Sequence, residues 1–371
     1  MAETRRAPLP VLGRLLEPFY GAAIARRNRA FDAGRGVQTF LDENGRVFPV
    51  ISIGNLSVGG TGKTPMVMHV LHLLLEHGRR PCVAMRGYSK SRSDAPDETD
   101  AYRRAFPDVS IVAQPDRASG LRELLARAAA DHRPDCIVLD DGFQHRQIAR
   151  AFDVVLIDAT PGRSVFDDRL LPAGWLREPV DSLRRCSAIV LSHAELATMD
   201  RVQLLSGAVR RTSIAPIAVT RHVWTGLKHR IGADDRMLPL DTLIGRRITG
   251  CCAIGHPGAF FRSLAAVSGS AEPALRHASL TLSDHDPFRP ATVARLVAAA
   301  KQHNAQFIVV TDKDWSKLRT LPDSVWPCPI VRPELAIVFD SGREEFDRMV
   351  LAAVKGMGGG GESGAGNLNF C

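Results

Sequence analysis

One stretch constrains this chain more than any other. The apolar run VISI (Val50–Ile53) leads into SVGGTGKTP (Ser57–Pro65), and a helical pattern follows with Val67, Val70, Leu71 and Leu74 at i, i+3, i+4 and i+7. Gly78 is a natural stop for that helix. Strand, glycine loop and helix in this order form the phosphate-binding unit G-x-x-x-x-G-K-[ST]. Gly62, Lys63 and Thr64 match its last three positions, and Ser57 stands where the first glycine is usual. Gly59, Gly60 and Gly62 let the backbone of Ser57, Val58 and Thr61 turn its N–H groups toward phosphate oxygens, and the helix N-terminus adds a favourable dipole. Lys63 can reach the β- and γ-phosphates and Thr64 can ligate Mg²⁺. Pro65 suits the first helical turn, where its missing N–H costs nothing.

The same rhythm continues. PCVAM (81–85), CIVLDD (136–141), VVLID (154–158) and AIVLS (188–192) are short apolar runs separated by helical stretches, the pattern of a parallel sheet covered on both faces. Residues 213–232 are β-like without a helical stripe. A second α/β run follows, with strands at ITGCCAIG and FIVVTD and helices near 257–267 and 291–303. The expected fold class is therefore α/β. A P-loop NTPase-type parallel-sheet domain (37–212) is joined by a short β linker (213–232) to a smaller α/β domain (233–350). An amphipathic segment (1–36) precedes them and a glycine-rich tail (351–371), expected to be disordered, follows.

A phosphate cradle needs an acid for its magnesium. CIVLDDGFQH supplies Asp140 and Asp141 at a strand end, the Walker-B arrangement. A guanine-reading N-K-x-D segment is absent, since TDKD at 311–314 has a different order, so ATP is favoured. Val58 stands where partition-type ATPases carry a lysine. The formal net charge of +8 favours an anionic partner, or else reflects an arginine-rich surface. No recognised module or aromatic–basic interleaving points to nucleic acid. In residues 11–35, Val11, Leu12, Leu15, Leu16, Phe19, Tyr20 and Ile24 alternate with Arg14, Arg26, Arg27, Arg29 and Arg35, and Pro18 is expected to kink or divide the helix. Such a segment either lies in a membrane interface or packs on its own domain. No apolar run of about 18 residues is present, so a spanning helix is not expected. The seven cysteines form no CxxC pair, which fits a reducing compartment better than zinc or disulfides.

Several segments together resemble one family. GNLSVGGTGKTP, RGY (86–88), LDDGFQH (139–145), LLPAGWLREP (170–179), AIGHPGAFF (253–261), DHDPF (284–288) and TDKD are similar to those of the tetraacyldisaccharide 4′-kinases, the lipid A 4′-kinases of Gram-negative bacteria. The resemblance implies Mg²⁺-dependent transfer of the γ-phosphoryl group of ATP to the 4′-hydroxyl of an anionic glycolipid, tetraacyldisaccharide 1-phosphate. It also implies a peripheral position at the cytoplasmic face of the inner membrane, and no obligate protein partner is evident. It carries the catalytic base onto Asp97 in APDETD, where Pro96 and Thr99 replace the family's glycine and proline, so Asp94 and Asp100 stay in contention. The histidine that orients the base falls on His285. Arg86, His145 and Arg177 become candidate substrate contacts. His145 is equally read as a structural hydrogen bonder, and Arg177 and Glu178 either pair with each other or help close the site. VFDDR, with Asp167 and Asp168, departs from the family's turn at that place. The competing expectation is a membrane-recruited P-loop ATPase switch that acts on a protein partner.

Overall fold

The computed structural model describes residues 9, 11–42, 44–87, 97–129, 132–162, 164–231, 234–254, 257–283 and 286–355, with the backbone alone for residues 97, 98, 231 and 234. Two compact units emerge: residues 1–95, 99–221 and 339–371 form the first, and residues 96–98 and 222–338 the second.

In the first unit the elements run α1 (Leu12–Asp32), β1 (Val50–Asn55), α2 (Lys63–Glu76), β2 (Pro81–Met85), α3 (Asp97–Ala105, apart from its first two residues), β3 (Ser110–Ala113), α4 (Arg117–Arg127), β4 (Cys136–Asp140), β5 (Phe152–Asp158), β6 (Ala188–Ser192) and α5 (Met199–Arg210), followed by the start of β7 (Ile217–Ile231). The strand order is β3-β2-β4-β1-β5-β6-β7, parallel throughout. β1 lies at the middle, with Val50 opposite Ile137 of β4 and Ile51 opposite Phe152 of β5. The central strands β1, β2, β4, β5 and β6 are buried along their whole length, as a sheet covered on both faces requires. One core gathers Leu56, Phe143, Ile157, Leu191 and Leu205, another Val50, Ala84, Leu121, Ile137 and Leu139.

β7 pairs in parallel with β6 through Ile217–Val219. Its far half belongs to the second unit and pairs antiparallel with β8 (Asp234–Leu238). The second unit continues with β9 (Ile248–Cys252), α6 (Pro257–Ser268), α7 (Glu272–His277), β10 (Leu280–Thr281), α8 (Pro290–Gln302), β11 (Phe307–Val310), α9 (Asp312–Leu318) and most of β12 (Ile330–Ser341). Its parallel order is β10-β9-β11-β12. From Phe339 the chain returns to the first unit, and the described residues end in α10 (Arg343–Lys355). There His69 of α2 meets Asp347 at 2.8 Å, and its ring lies near those of Phe339 and Phe346.

This differs from the boundary expected at residue 350. α10 buries Phe346, Val350 and Val354, and its apolar stripe says that it packs without saying on what. Residues 351–355 are the last turn of α10, while 356–371 lie outside the described residues.

α1 is not divided at Pro18, one of the two outcomes expected there, but runs on through it. Pro18 lies on the exposed side, and the helix is anchored before and after it. Gly13 meets the backbone of Pro172 and Ala173 so closely that a Cβ would lie 2.7–2.8 Å from it. Glu17 accepts from Arg169 (2.7 Å) and from Leu170 N (3.1 Å), and Tyr20 donates to the Arg177 carbonyl (2.9 Å). Tertiary anchoring here overrides the local cost of proline. The opposite face leaves Val11 82%, Leu15 68% and Phe19 75% exposed. No helix among the described residues is long and apolar enough to cross a membrane.

Candidate active site

The glycine loop is tied down on both flanks. Asn55, last residue of β1, donates its side-chain amide to Thr61 Oγ1 (3.0 Å) and to the Gly59 carbonyl (3.3 Å). Ser192, at the end of β6, donates to the Thr61 carbonyl (2.9 Å). On the other flank Val58 N donates to the Trp175 carbonyl (2.8 Å), Arg177 N donates to the Leu56 carbonyl (2.7 Å), and Ser57 bridges Leu176. The LLPAGWLREP segment is thus a brace for the loop. Asp168 sets that brace, its carboxylate accepting from Arg169 N (2.8 Å) and Trp175 N (3.2 Å). This gives the departure at VFDDR a structural role at Asp168. A cavity of about 370 Å³ opens beside the loop, lined by residues 57–61 with Asp158, Trp175 and Arg201.

Gly62 ends the loop at φ +78°, and Lys63 and Thr64 open α2. Lys63 Nζ stands 3.5 Å from Asp141 Oδ1. Arg177 donates through one nitrogen to both Asp141 oxygens (2.9 and 2.8 Å), and Arg117 donates to the Asp141 carbonyl (3.2 Å). Burial alone would raise the Asp141 pKa, but Lys63, Arg177 and Arg117 hold it below the ordinary carboxylate value. Asp140 differs. It is buried at the end of β4, accepts from the Tyr102 hydroxyl at 2.9 Å, and burial keeps its pKa raised despite Lys63 and Tyr102. The two acids therefore separate: cations hold Asp141 below the ordinary carboxylate value, whereas burial, with the Asp141 charge adding to it, keeps Asp140 above that value.

The turn that carries them is made possible by Gly54, where a Cβ would lie 2.5 Å from Cβ of Phe143. Asp141 itself sits at φ +50°, a region that Asp tolerates better than bulkier residues.

Arg177 and Glu178 do not pair with each other. Glu178, wholly buried, takes Arg27 (3.2 Å) and Asn28 (3.0 Å) of α1, Ser182 (3.1 Å) and Arg185 (3.0 Å). It ties α1 to the loop brace. His145 is half-buried beside Arg117 and Arg150. Burial first, and those cations next, lower its pKa to about 4, so it is neutral near pH 7. Its Nε2 is buried without a hydrogen-bond partner. Arg86 stands exposed just beyond β2. Asp97 opens α3, its side chain outside the described residues, as are Asp94 and His285 altogether. Asp100 lies in α3, 3.6 Å from Arg103.

Five residues of this network carry no sequence signal for their role: Asn55, Tyr102, Arg117, Gln144 and Ser192. Gln144 lies inside the DDGFQH motif and donates to the Asn55 carbonyl (2.8 Å), but nothing in the motif says which of its residues turn inward.

Residues 11–355 match the model of the family described as tetraacyldisaccharide-1-P 4′-kinase. The chain belongs to that family. It is 35% identical over 321 residues to the tetraacyldisaccharide 4′-kinase of Anaeromyxobacter dehalogenans strain 2CP-C, covering 82% of this chain and 80% of the relative. It is likewise 35% identical over 331 residues to that of Geobacter metallireducens, covering 84% and 89%. The crystal structure of LpxK from Aquifex aeolicus in complex with ATP superposes with a TM-score of 0.68 at 25% identity, covering 92% of this chain and 98% of that one. The family is one of kinases, so an enzyme of this kind is supported over an ATPase switch.

Proposed function

We propose that this chain transfers the γ-phosphoryl group of ATP to the 4′-hydroxyl of tetraacyldisaccharide 1-phosphate. One observation carries the reading: in a chain that matches the kinase family over residues 11–355, the P-loop lysine lies 3.5 Å from the second acid of the Walker-B pair. Lys63 and the amides of Ser57 and residues 59–62 hold the triphosphate; the Val58 amide, also expected there from the sequence, is instead taken by the Trp175 carbonyl. An arriving phosphate takes Lys63 away from Asp141, which Arg177 continues to neutralise. Thr64 and Asp140 suit Mg²⁺, a hard cation that prefers oxygen ligands, because Asp140 is a buried carboxyl whose ionised form burial disfavours and a bound cation would favour. When bound, Mg²⁺ neutralises charge on the transferring group. The resemblance assigns the base to Asp97, with Asp94 and Asp100 as alternatives, and its orientation to His285. Arg86 and His145 are assigned to the acceptor's side of the site, His145 as a neutral hydrogen-bonding group.

The exposed row Val11, Leu12, Leu15, Leu16 and Phe19, with Arg14, Arg26 and Arg29 beside it, supports docking on an anionic membrane surface, the inner membrane's cytoplasmic face. The test is phosphorylation of tetraacyldisaccharide 1-phosphate by purified protein with ATP and Mg²⁺, in detergent micelles and on anionic vesicles. Lys63→Ala abolishes product in both, whereas Leu15→Glu/Phe19→Glu loses turnover on vesicles alone. Full activity of Lys63→Ala refutes the site. Undiminished vesicle binding by the double variant refutes the membrane face.

A further inference from the structure

The cavity of about 370 Å³ beside the glycine loop falls within the range of small-ligand sites, about 300–1,000 Å³. Its walls mix Val165 and Trp175 with the polar residues Asp158, Asp167 and Arg201. Its place in the sheet says which part of ATP it faces. Strands β4 and β5 flank β1 on opposite sides. Asp140 ends β4, and Lys63 stands 3.5 Å from Asp141, the next residue. A P-loop lysine and its Mg²⁺ hold the β- and γ-phosphates, so the γ end of a triphosphate in the loop lies on the β4 side. Asp158, the last residue of β5, lines the cavity. The nucleoside, at the other end of the triphosphate, leaves on the β5 side, where the cavity opens.

Asp167 is the acid in this wall that the fold does not use. Its neighbours are anchored. Ser164 Oγ accepts from Phe166 N (3.3 Å), Phe166 packs against the core that holds Leu56 and Ile157, and Asp167 N donates to the Ser164 carbonyl (3.3 Å). Asp168 accepts from Arg169 N and Trp175 N. Between these anchors the Asp167 carboxylate is exposed and makes no hydrogen bond or ion pair among the described residues. Beside a polyphosphate a bare carboxylate is unfavourable unless it accepts hydrogen bonds. Ribose hydroxyls are the donors nearest the phosphates, and acids at strand ends read them in dinucleotide sites. Asp167 also lies in VFDDR, where this chain departs from the family's turn.

We propose that the cavity receives the nucleoside of ATP and that Asp167 accepts hydrogen bonds from its ribose hydroxyls. This rests on the reading of ATP as the donor held by Lys63. A carboxylate can take both hydroxyls in charge-assisted bonds, whereas asparagine accepts through one oxygen only.

Isothermal titration calorimetry of the full-length protein with Mg²⁺ compares ATP with 2′,3′-dideoxy-ATP, which has the same base and triphosphate and lacks both hydroxyls. Repulsion between Asp167 and the triphosphate is common to the two nucleotides, so the ratio of their affinities isolates the hydroxyls. Wild type binds ATP about tenfold more tightly, the worth of a hydrogen bond to a charged group. Asp167→Ala draws the two nucleotides level, and Asp167→Asn keeps part of the preference. The same ratios appear in KM when tetraacyldisaccharide 1-phosphate is the acceptor. Equal affinities of wild type for the two nucleotides overturn the proposal and leave the kinase reading standing. So does a gap that survives intact in Asp167→Ala. A Lys63→Ala variant that binds ATP as tightly as wild type removes the reading of the donor site, and this proposal with it.

Discussion

Replacing Glu178 by alanine should cost about 3 kcal/mol of stability, mainly because it strands a buried cation. Its carboxylate is fully buried and takes two arginines and two neutral donors. The arginines do not suffer equally. Arg27 is 39% exposed and can turn to water, so its share is about 1 kcal/mol or less. Arg185 is 19% exposed and lies over the Phe143 ring at 3.6 Å, where burial already lowers its pKa and Glu178 is the first compensating charge. Breaking a buried pair by removing one partner costs about 3–5 kcal/mol, and the escape of Arg27 places Glu178→Ala at the low end. For a unit of about 250 residues this lowers the melting temperature by about 6–12 °C. Glu178→Gln keeps the shape and part of the hydrogen bonding and should fall between, while Arg27→Ala should shift it by about 4 °C or less. Differential scanning fluorimetry of the three variants decides it. A Glu178→Ala midpoint within about 2 °C of wild type, or an Arg27→Ala loss as large as that of Glu178→Ala, would refute the ranking.

Two further outcomes follow from the same network. His145 has a folded pKa near 4, below its ordinary 6.5, so the unfolded chain takes up the proton first; its contribution to stability is complete above about pH 6.5 and is lost as pH falls toward 4. Melting temperature should therefore fall less steeply between pH 7 and 5 in His145→Gln than in wild type, and parallel slopes would contradict the assignment. Tyr102→Phe keeps the buried ring but removes the donor to Asp140, a hydrogen bond that lowers the Asp140 pKa. It should move the acid limb of the pH–rate profile upward and raise the Mg²⁺ concentration for half-maximal rate, and a profile and Mg²⁺ dependence that both stay put would dissociate Tyr102 from the metal site.

What was legible in the sequence follows the range of the interactions. β1, the glycine loop and α2 are encoded within one stretch, so periodicity and the GKT signature suffice to place Lys63 and Thr64. Asp140 and Asp141 end an apolar strand and were readable for the same reason. What escaped is long-range. Tyr102 reaches Asp140 across 38 residues, Arg177 reaches Asp141 across 36, and Arg27 reaches Glu178 across 151. No periodicity reports such pairings, and a tyrosine on a helix reads as core until its partner is known. Pro18 failed as a helix breaker for the same reason, since contacts from Gly13, Glu17 and Tyr20 to residues 169–177 outweigh a local preference.

The long-range contacts also give the two adjacent aspartates at the end of β4 different characters. With identical environments they would repel, and one would take up a proton. The fold gives them different surroundings: Asp141 enters the left-handed region and meets Lys63 and Arg177, while Asp140 stays in the strand, accepts from Tyr102 and keeps a raised pKa to which the Asp141 charge still contributes. The brace that supplies Arg177 also holds Val58, so the cation that neutralises Asp141 and the loop that receives phosphate are positioned by one segment. A shift of that segment would disturb both at once. Asp168 and Glu178, toward the two ends of the brace, therefore help to hold the glycine loop and Arg177 in place together.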